Sequence, residues 1–199
     1  MITFYRIANN SPNIKKVSIM LAETGLPHDV QHVERLDNGK LADEYLAINP
    51  NATVPAIVDN EAQVTLFESA AILCYLAERS GMLLPDNPQG KGEALNWLLF
   101  EAANVGPVVA EIYHYLMLME DELSDAHMQR YKDKLTRYCE ILEQRLEGRE
   151  YLCGEFSIAD IALYPWTAVF EDLAEVELTD YPNLSDWADR ISQRPSAQA

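Results

Sequence analysis

Near residue 80 the hydrophobic period of this chain changes, and that change limits the folds open to it. Upstream, strand-like runs alternate with helical ones. "ITFYR" (Ile2 to Arg6) alternates weakly and predicts a strand. Residues 12–24 place Val17, Met20, Leu21 and Thr24 at helical spacing, and Gly25 stops the run. "HDVQHV" (His28 to Val33) predicts a second strand, and "KLADEYLAI" (Lys40 to Ile48) a short helix closed by Asn49-Pro50. "VPAIVD" and "QVTLF" predict two strands about the turn Asp59-Asn60, and "ESAAILCYLAERSG" a helix ending at Gly81. A strand, a helix and a returning strand imply a parallel pair, to which the later hairpin adds antiparallel strands. Then comes "SGMLLPDNPQG", with the turn residues of a linker. Everything beyond reads as helix: about 90–119, 125–147, 157–170 and 183–192. The expected division is 1–80, an α/β domain; 81–87, a linker; and 88–199, an all-helical domain.

Charge narrows the partners. The formal net charge is -17. Residues 1–80 hold six Lys/Arg against ten Asp/Glu, and residues 81–199 hold nine against twenty-two. Such a chain lacks the basic clusters that grip phosphate backbones or anionic lipid, so neither nucleic acid nor a membrane is an expected partner. The cysteines, Cys74, Cys139 and Cys153, are odd in number and form no CxxC, which suits a reducing compartment. "MITFYRIANN" has no signal-peptide core, and a cytoplasmic location is expected. Histidines 28, 32, 114 and 127 show no zinc spacing, and no metal is expected. No phosphate-cradling glycine loop and no G-x-S-x-G occurs.

The first strand hands over to its helix through "NNSPNIKKV" (Asn9 to Val17). Ser is a favoured N-cap because its oxygen accepts from a free N–H of the first turn, and Pro is favoured at the next position. The plain reading of Ser11-Pro12 is therefore a cap. The same geometry also suits an anion, because a helix N-terminus carries partial positive charge and unpaired N–H groups. A thiol brought there loses its proton more readily than at its usual pKa of ~8.5. Ser11 would donate a hydroxyl and Asn13 an amide hydrogen to such a sulfur. No cysteine lies near this turn, so the sulfur would arrive with a ligand.

Three further stretches stand out. "NPNATVPAIVD" sets Pro55 before an apolar strand, which by itself is a weak signal. "LFESAAILCYLAE" puts Glu68 and Ser69 at a helix entry. That is either a good first turn or a pair that holds an amino-acid head group, with Ser69 on the carboxylate and Glu68 on the amine. In "FSIADIALYPW", Ser157 and Asp160 match a capping box and Phe156 and Ile161 a hydrophobic staple, a fold-specifying device. "NVGPVVAEIYHYL" carries Gly106-Pro107 inside a helical pattern, where Pro107 should kink the helix.

Taken together, these stretches resemble the cytosolic glutathione transferase family over nearly the whole chain. The resemblance implies a thioredoxin-like N-terminal domain, an all-helical C-terminal domain and a homodimer. It implies glutathione as co-substrate, with Ser11 and Asn13 as the catalytic residues of a Ser-type enzyme. Asn13 is similar to the asparagine of bacterial nu-class and yeast prion-like members. Lys40, Thr53, Val54, Pro55, Glu68 and Ser69 fall where relatives bind glutathione: Lys40 at the glycine carboxylate, Val54 at the cysteinyl backbone before a cis-Pro55, and Glu68 and Ser69 at the γ-glutamyl end. Asn104, Tyr113, His114 and Trp166 are weaker candidates for an electrophile pocket. The chain departs from the family at Thr53, where many relatives carry Lys, Arg or Gln, and at Asn51 or Ala52, where glycine is common. The resemblance implies thiolate attack on a small-molecule electrophile, with disulfide reductase or peroxidase activity as variants. The alternative is a non-catalytic regulatory or binding protein on the same fold.

Overall fold

The computed structural model describes residues 1–8, 11–34, 42–118, 125–170 and 176–199. The chain divides into two compact units, Met1–Leu84 with Gln198–Ala199, and Pro85–Ala197.

The first unit runs β1 (Ile2–Arg6), α1 (Pro12–Thr24), β2 (His28–His32), α2 (Asp43–Leu46), β3 (Ala56–Asp59), β4 (Val64–Phe67) and α3 (Ser69–Ser80). Its four strands lie in the order β2-β1-β3-β4. β1 pairs parallel with β2 and antiparallel with β3, and β3 pairs antiparallel with β4. This is the thioredoxin-like arrangement that the resemblance implies. The α1 crossover makes the parallel pair possible, and the Asp59 turn makes the antiparallel one. Ile2 and Phe4 of β1 and Ile57 of β3 are buried, as are Ile14, Val17, Met20 and Leu21 of α1 and Ile72, Leu73 and Leu76 of α3. α1 and α3 pack together on the sheet. Both end at a glycine in the left-handed region, Gly25 (φ 63°) and Gly81 (φ 68°), where a side chain would be strained. α2 is a single turn, shorter than the helix expected from the sequence. Residues 35–41 at its start lie outside the described residues, Lys40 among them.

The hairpin turn is built on one carboxylate. Asp59 is buried, and its Oδ1 accepts from the backbone N–H of Glu61 and Ala62 at 2.9 and 3.2 Å. Its Oδ2 accepts from the Tyr75 hydroxyl at 2.6 Å and Arg79 Nε at 3.3 Å. These bonds, the Tyr75 bond foremost, hold its pKa down at about 2 against the opposing cost of burial.

The second unit holds α4 (Pro88–Phe100), a π-helical turn (Glu101–Val105), α5 (Gly106–Leu118), α6 (Asp125–Leu146), α7 (Ile158–Thr167) and, after a 3-10 turn at Leu178–Asp180, α8 (Pro182–Ser192). Pro107 lacks an N–H, and the chain accommodates it with a wide turn, not the simple kink expected. The Gly106 N–H reaches back five residues to the Glu101 carbonyl. A Cβ on Gly106 would sit 2.7 Å from Glu101 Oε1 and 3.2 Å from Trp166 Cζ2, so any side chain there would displace the buried Glu101 carboxylate.

α7 is buried nearly all round and forms the axis of this unit. Its capping box forms as expected: Ser157 Oγ accepts from Ala159 N, and Asp160 Oδ2 accepts from Ser157 N at 3.0 Å. Asp160 does more than the motif requires. Its Oδ1 also accepts from Leu152 N at 2.9 Å and from Trp187 Nε1 at 2.8 Å, which ties the preceding loop and α8 to the start of α7.

Candidate functional site

Three side chains meet where α1 and α3 begin. Asn13 Oδ1 accepts from Lys16 Nζ at 2.8 Å and from Ser69 Oγ at 3.0 Å. Lys16 Nζ also lies 3.4 Å from Ser69 Oγ. Lys16 is 1% exposed and Ser69 8%, so the junction is shielded from water, while Asn13 is half-buried. Hydrogen bonds in such surroundings are electrostatically stronger than on the surface. Asn13 and Ser69 stand 56 residues apart in sequence, and the fold alone unites them.

Ser11 stands at the N-cap position, as expected, but without the expected bond. Its backbone carbonyl accepts from Lys15 N at 2.9 Å, whereas its side chain makes no capping hydrogen bond. With φ -58° and ψ 150° the residue is extended, outside the helix it precedes. Pro12 occupies the first helical position, where a missing N–H costs nothing. The Ser11 hydroxyl is thus not committed to the helix.

The loop before β3 is held from within. Asn49 is fully buried, and its Nδ2 donates to the Thr53 carbonyl at 2.7 Å and to Thr53 Oγ1 at 3.2 Å. Its Oδ1 accepts from Asn51 N at 3.0 Å. The Tyr45 hydroxyl donates to the same Thr53 carbonyl at 2.5 Å. Burial pushes the Tyr45 phenol up to about 12, so it remains a donor throughout the neutral range. The Val54-Pro55 bond is cis. Ala52 has φ 56°, which marks it, and not Asn51, as the residue occupying the glycine-like position.

Glu68 is exposed, with φ 69° and ψ 114°, and its side chain makes no cap to α3. A non-glycine residue in that region is held there by its surroundings, and such residues cluster at binding sites. Ser69 opens α3 with its hydroxyl hydrogen directed at Asn13, so its backbone N–H is the group left at the helix start.

The buried Cys139 and half-buried Cys153 thiols are poor nucleophiles. Burial pushes Cys139 up to about 12 and Cys153 up to about 11. Thiolate chemistry at the start of α1 would need a sulfur supplied by a ligand.

The remaining candidates stand in the second unit. Asn104 lies half-buried in the π-helical turn, and Tyr113 on α5 is 48% exposed. Trp166 is buried in the core with Val105, Val109, Leu163 and Phe170. The His114 side chain and Lys40 lie outside the described residues. Two residues of the first unit escaped sequence reasoning. Lys16 reads as a surface charge, although it sits between Ile14 and Val17 on the buried face. Asn49 reads as a helix stop, although it organises the next loop.

Comparison with known proteins identifies the family. Residues 10–79 match the family model for the glutathione S-transferase N-terminal domain, and residues 106–195 that for the C-terminal domain. The chain is 33% identical over 192 residues to the disulfide-bond oxidoreductase YfcG of Escherichia coli, covering 94% of this chain and 88% of that protein. A glutathione transferase of Pseudomonas putida, crystallised with one glutathione disulfide per subunit, superimposes with a TM-score of 0.89 at 32% identity. That match covers 99% of this chain and 89% of the other. One from Burkholderia graminis, with two glutathione molecules per subunit, superimposes with a TM-score of 0.89 at 35% identity, covering 99% and 85%. Both halves of the chain match, at identities above 30% over nearly its whole length, and it therefore belongs to the glutathione S-transferase family.

Proposed function

We propose that this protein is a glutathione-dependent enzyme that ionises the thiol of bound glutathione at the start of α1. The thiolate attacks an electrophile or a disulfide. The observation that carries the reading is the Ser11–Asn13 turn, where a hydroxyl is left out of the helix cap and an amide is locked from behind by Lys16 and Ser69. Ser11 donates to the sulfur, which makes the protein Ser-type and nu-like or theta-like in its catalytic turn. Asn13 adds a second donor. The Val54 backbone pairs with the cysteinyl unit beside Pro55 and Thr53, and Lys40 faces the glycine carboxylate. Glu68 takes the γ-glutamyl amine, and the Ser69 backbone N–H takes its carboxylate. The second substrate draws on Asn104, Tyr113 and His114; Trp166, expected with them from the sequence, packs in the core instead. The working protein is a cytoplasmic homodimer.

Disulfide reduction is favoured as one activity by two relatives, the oxidoreductase of Escherichia coli and the Pseudomonas structure with glutathione disulfide. In that reaction the thiolate forms a bond to one sulfur of a disulfide and the other sulfur departs as a thiolate. A second glutathione then attacks the mixed disulfide, releasing the second substrate thiol and glutathione disulfide. With no cysteine at position 11, both reducing equivalents come from glutathione.

Calorimetric titration with glutathione, followed by turnover assays with a chlorodinitrobenzene-type electrophile and with hydroxyethyl disulfide, tests the reading. Binding and turnover are expected, and Ser11→Ala should reduce turnover more than binding. Binding without turnover on either substrate would favour a regulatory protein, and no binding at all would end the proposal.

A further inference from the structure

We infer that Lys16 is a positioning residue of the thiol site, orienting the Asn13 amide so that its nitrogen faces the incoming sulfur. The inference rests on the proposed glutathione chemistry and adds a residue to it. An ammonium only donates hydrogen bonds. The atom of Asn13 that lies 2.8 Å from Lys16 Nζ must therefore be the carbonyl oxygen. Ser69 Oγ, accepting from the same ammonium, places its own hydrogen on that oxygen from the second side. Both lone pairs of Asn13 Oδ1 are thus used, and the amide cannot turn over without setting its NH2 against Lys16. The Nδ2 hydrogens are left for another acceptor.

Alternative roles for Lys16 explain less. A solvated surface lysine would not be 1% exposed. A purely structural tie between α1 and α3 would be served by any apolar residue at far lower desolvation cost. The charged residues next in sequence to this junction are Lys15 and Lys16 on α1 and Glu68 before α3. Of these, Lys16 is the buried one.

The decisive measurement is the pH profile of kcat/KM for glutathione on the intact protein, with unfolding curves recorded alongside. Losing a donor to the thiolate raises the pKa of the bound thiol, which moves the acid limb to higher pH. Lys16→Met keeps the length and apolar stem but no donor. It should lower kcat/KM by about tenfold to a hundredfold, the usual effect of losing one hydrogen bond to a charged group, and move the acid limb up by about one pH unit. Asn13→Asp, which keeps the bond to Lys16 but has no NH2, should do the same without touching the lysine. The double variant Lys16→Met/Asn13→Ala should be no slower than Asn13→Ala alone, within about twofold, because Lys16 acts through Asn13. Lys16→Arg should restore part of the loss, and Lys15→Met should leave the profile in place.

An unmoved acid limb in Lys16→Met or in Asn13→Asp would overturn the inference, as would losses that multiply in the double variant. An equal shift in Lys15→Met would reduce the effect to general charge and overturn it too. A wild type that turns over while Lys16→Met is unchanged removes this inference alone. A wild type without glutathione turnover removes the proposed function and this inference with it.

Discussion

Asp59→Asn removes the charge from a carboxyl that the β3–β4 turn buries, leaving its shape almost unchanged. In the native protein that carboxyl titrates near 2, against an ordinary 3.8, with the Tyr75 hydrogen bond as the largest cause. The interval corresponds to about 2 kcal/mol of native stability at neutral pH. Because the native pKa lies below the unfolded one, this contribution is complete above about pH 5 and drains away as pH falls toward 2. Urea unfolding at steps from pH 7 to pH 3, followed by far-ultraviolet circular dichroism, is the suitable assay. Tryptophan fluorescence is less suitable, since Trp97, Trp166 and Trp187 all belong to the second unit. The variant should lose at least about 2 kcal/mol at pH 7, more where its NH2 meets a donor, and the gap to wild type should narrow steadily below about pH 4. Tyr75→Phe, which deletes the strongest partner, should move the acid arm of the wild-type curve to higher pH. A gap of constant size from pH 7 to pH 3, or none at pH 7, would refute the assignment of stability to this charge.

Asp160→Asn turns an acceptor into a donor against at least one of two donor pairs, Leu152 N with Trp187 Nε1 or Ser157 N with Ser157 Oγ. It should cost about 3 kcal/mol, read as a lower midpoint in thermal or urea unfolding. Ala52→Gly removes the strain of a left-handed alanine, worth roughly 1 kcal/mol, but frees the unfolded chain by somewhat less. A net gain of about 0.5 kcal/mol in urea unfolding is expected. Ser11→Ala should leave the unfolding midpoint nearly unchanged, because the hydroxyl makes no cap, while kcat falls by about tenfold or more. A cap-sized loss of about 1 kcal/mol would show that the hydroxyl does stabilise the helix.

Much of both units was legible because their punctuation is local. Gly25 and Gly81 end helices, Asp59-Asn60 turns a hairpin, and Ser157 with Asp160 starts a buried helix, each through contacts within a few residues. Long-range ties were hidden from pattern reading. The bonds from Asn13 to Ser69 and from Asp160 to Trp187 join residues that no spacing rule connects. Lys16 was missed because a charge inside an apolar stripe is ordinarily counted as solvent-facing, and here it turns inward to meet two polar partners. For Ser11, residue type and position fit a cap and a sulfur donor alike, and only the conformation of the turn leaves its hydroxyl uncommitted. The break at Pro107 was legible, but its form was not, since a kink and a wide turn both relieve a missing N–H.

The wide turn at Glu101–Val105 holds, in effect, one residue more than a regular helix would. It sets the phase between two apolar stripes, Ala94 and Leu98 on α4, and Val108, Val109 and Ile112 on α5. Deleting any one residue of the Glu101–Val105 turn would remove the extra residue and set Pro107 against the turn before it, as in a regular helix. It would also rotate everything downstream by about 100° and draw it back by about 1.5 Å. Val109 and Ile112 would leave the interior while polar neighbours entered it. The irregularity therefore works as a clocking device, and a chain shorter by one residue here would be the less stable protein.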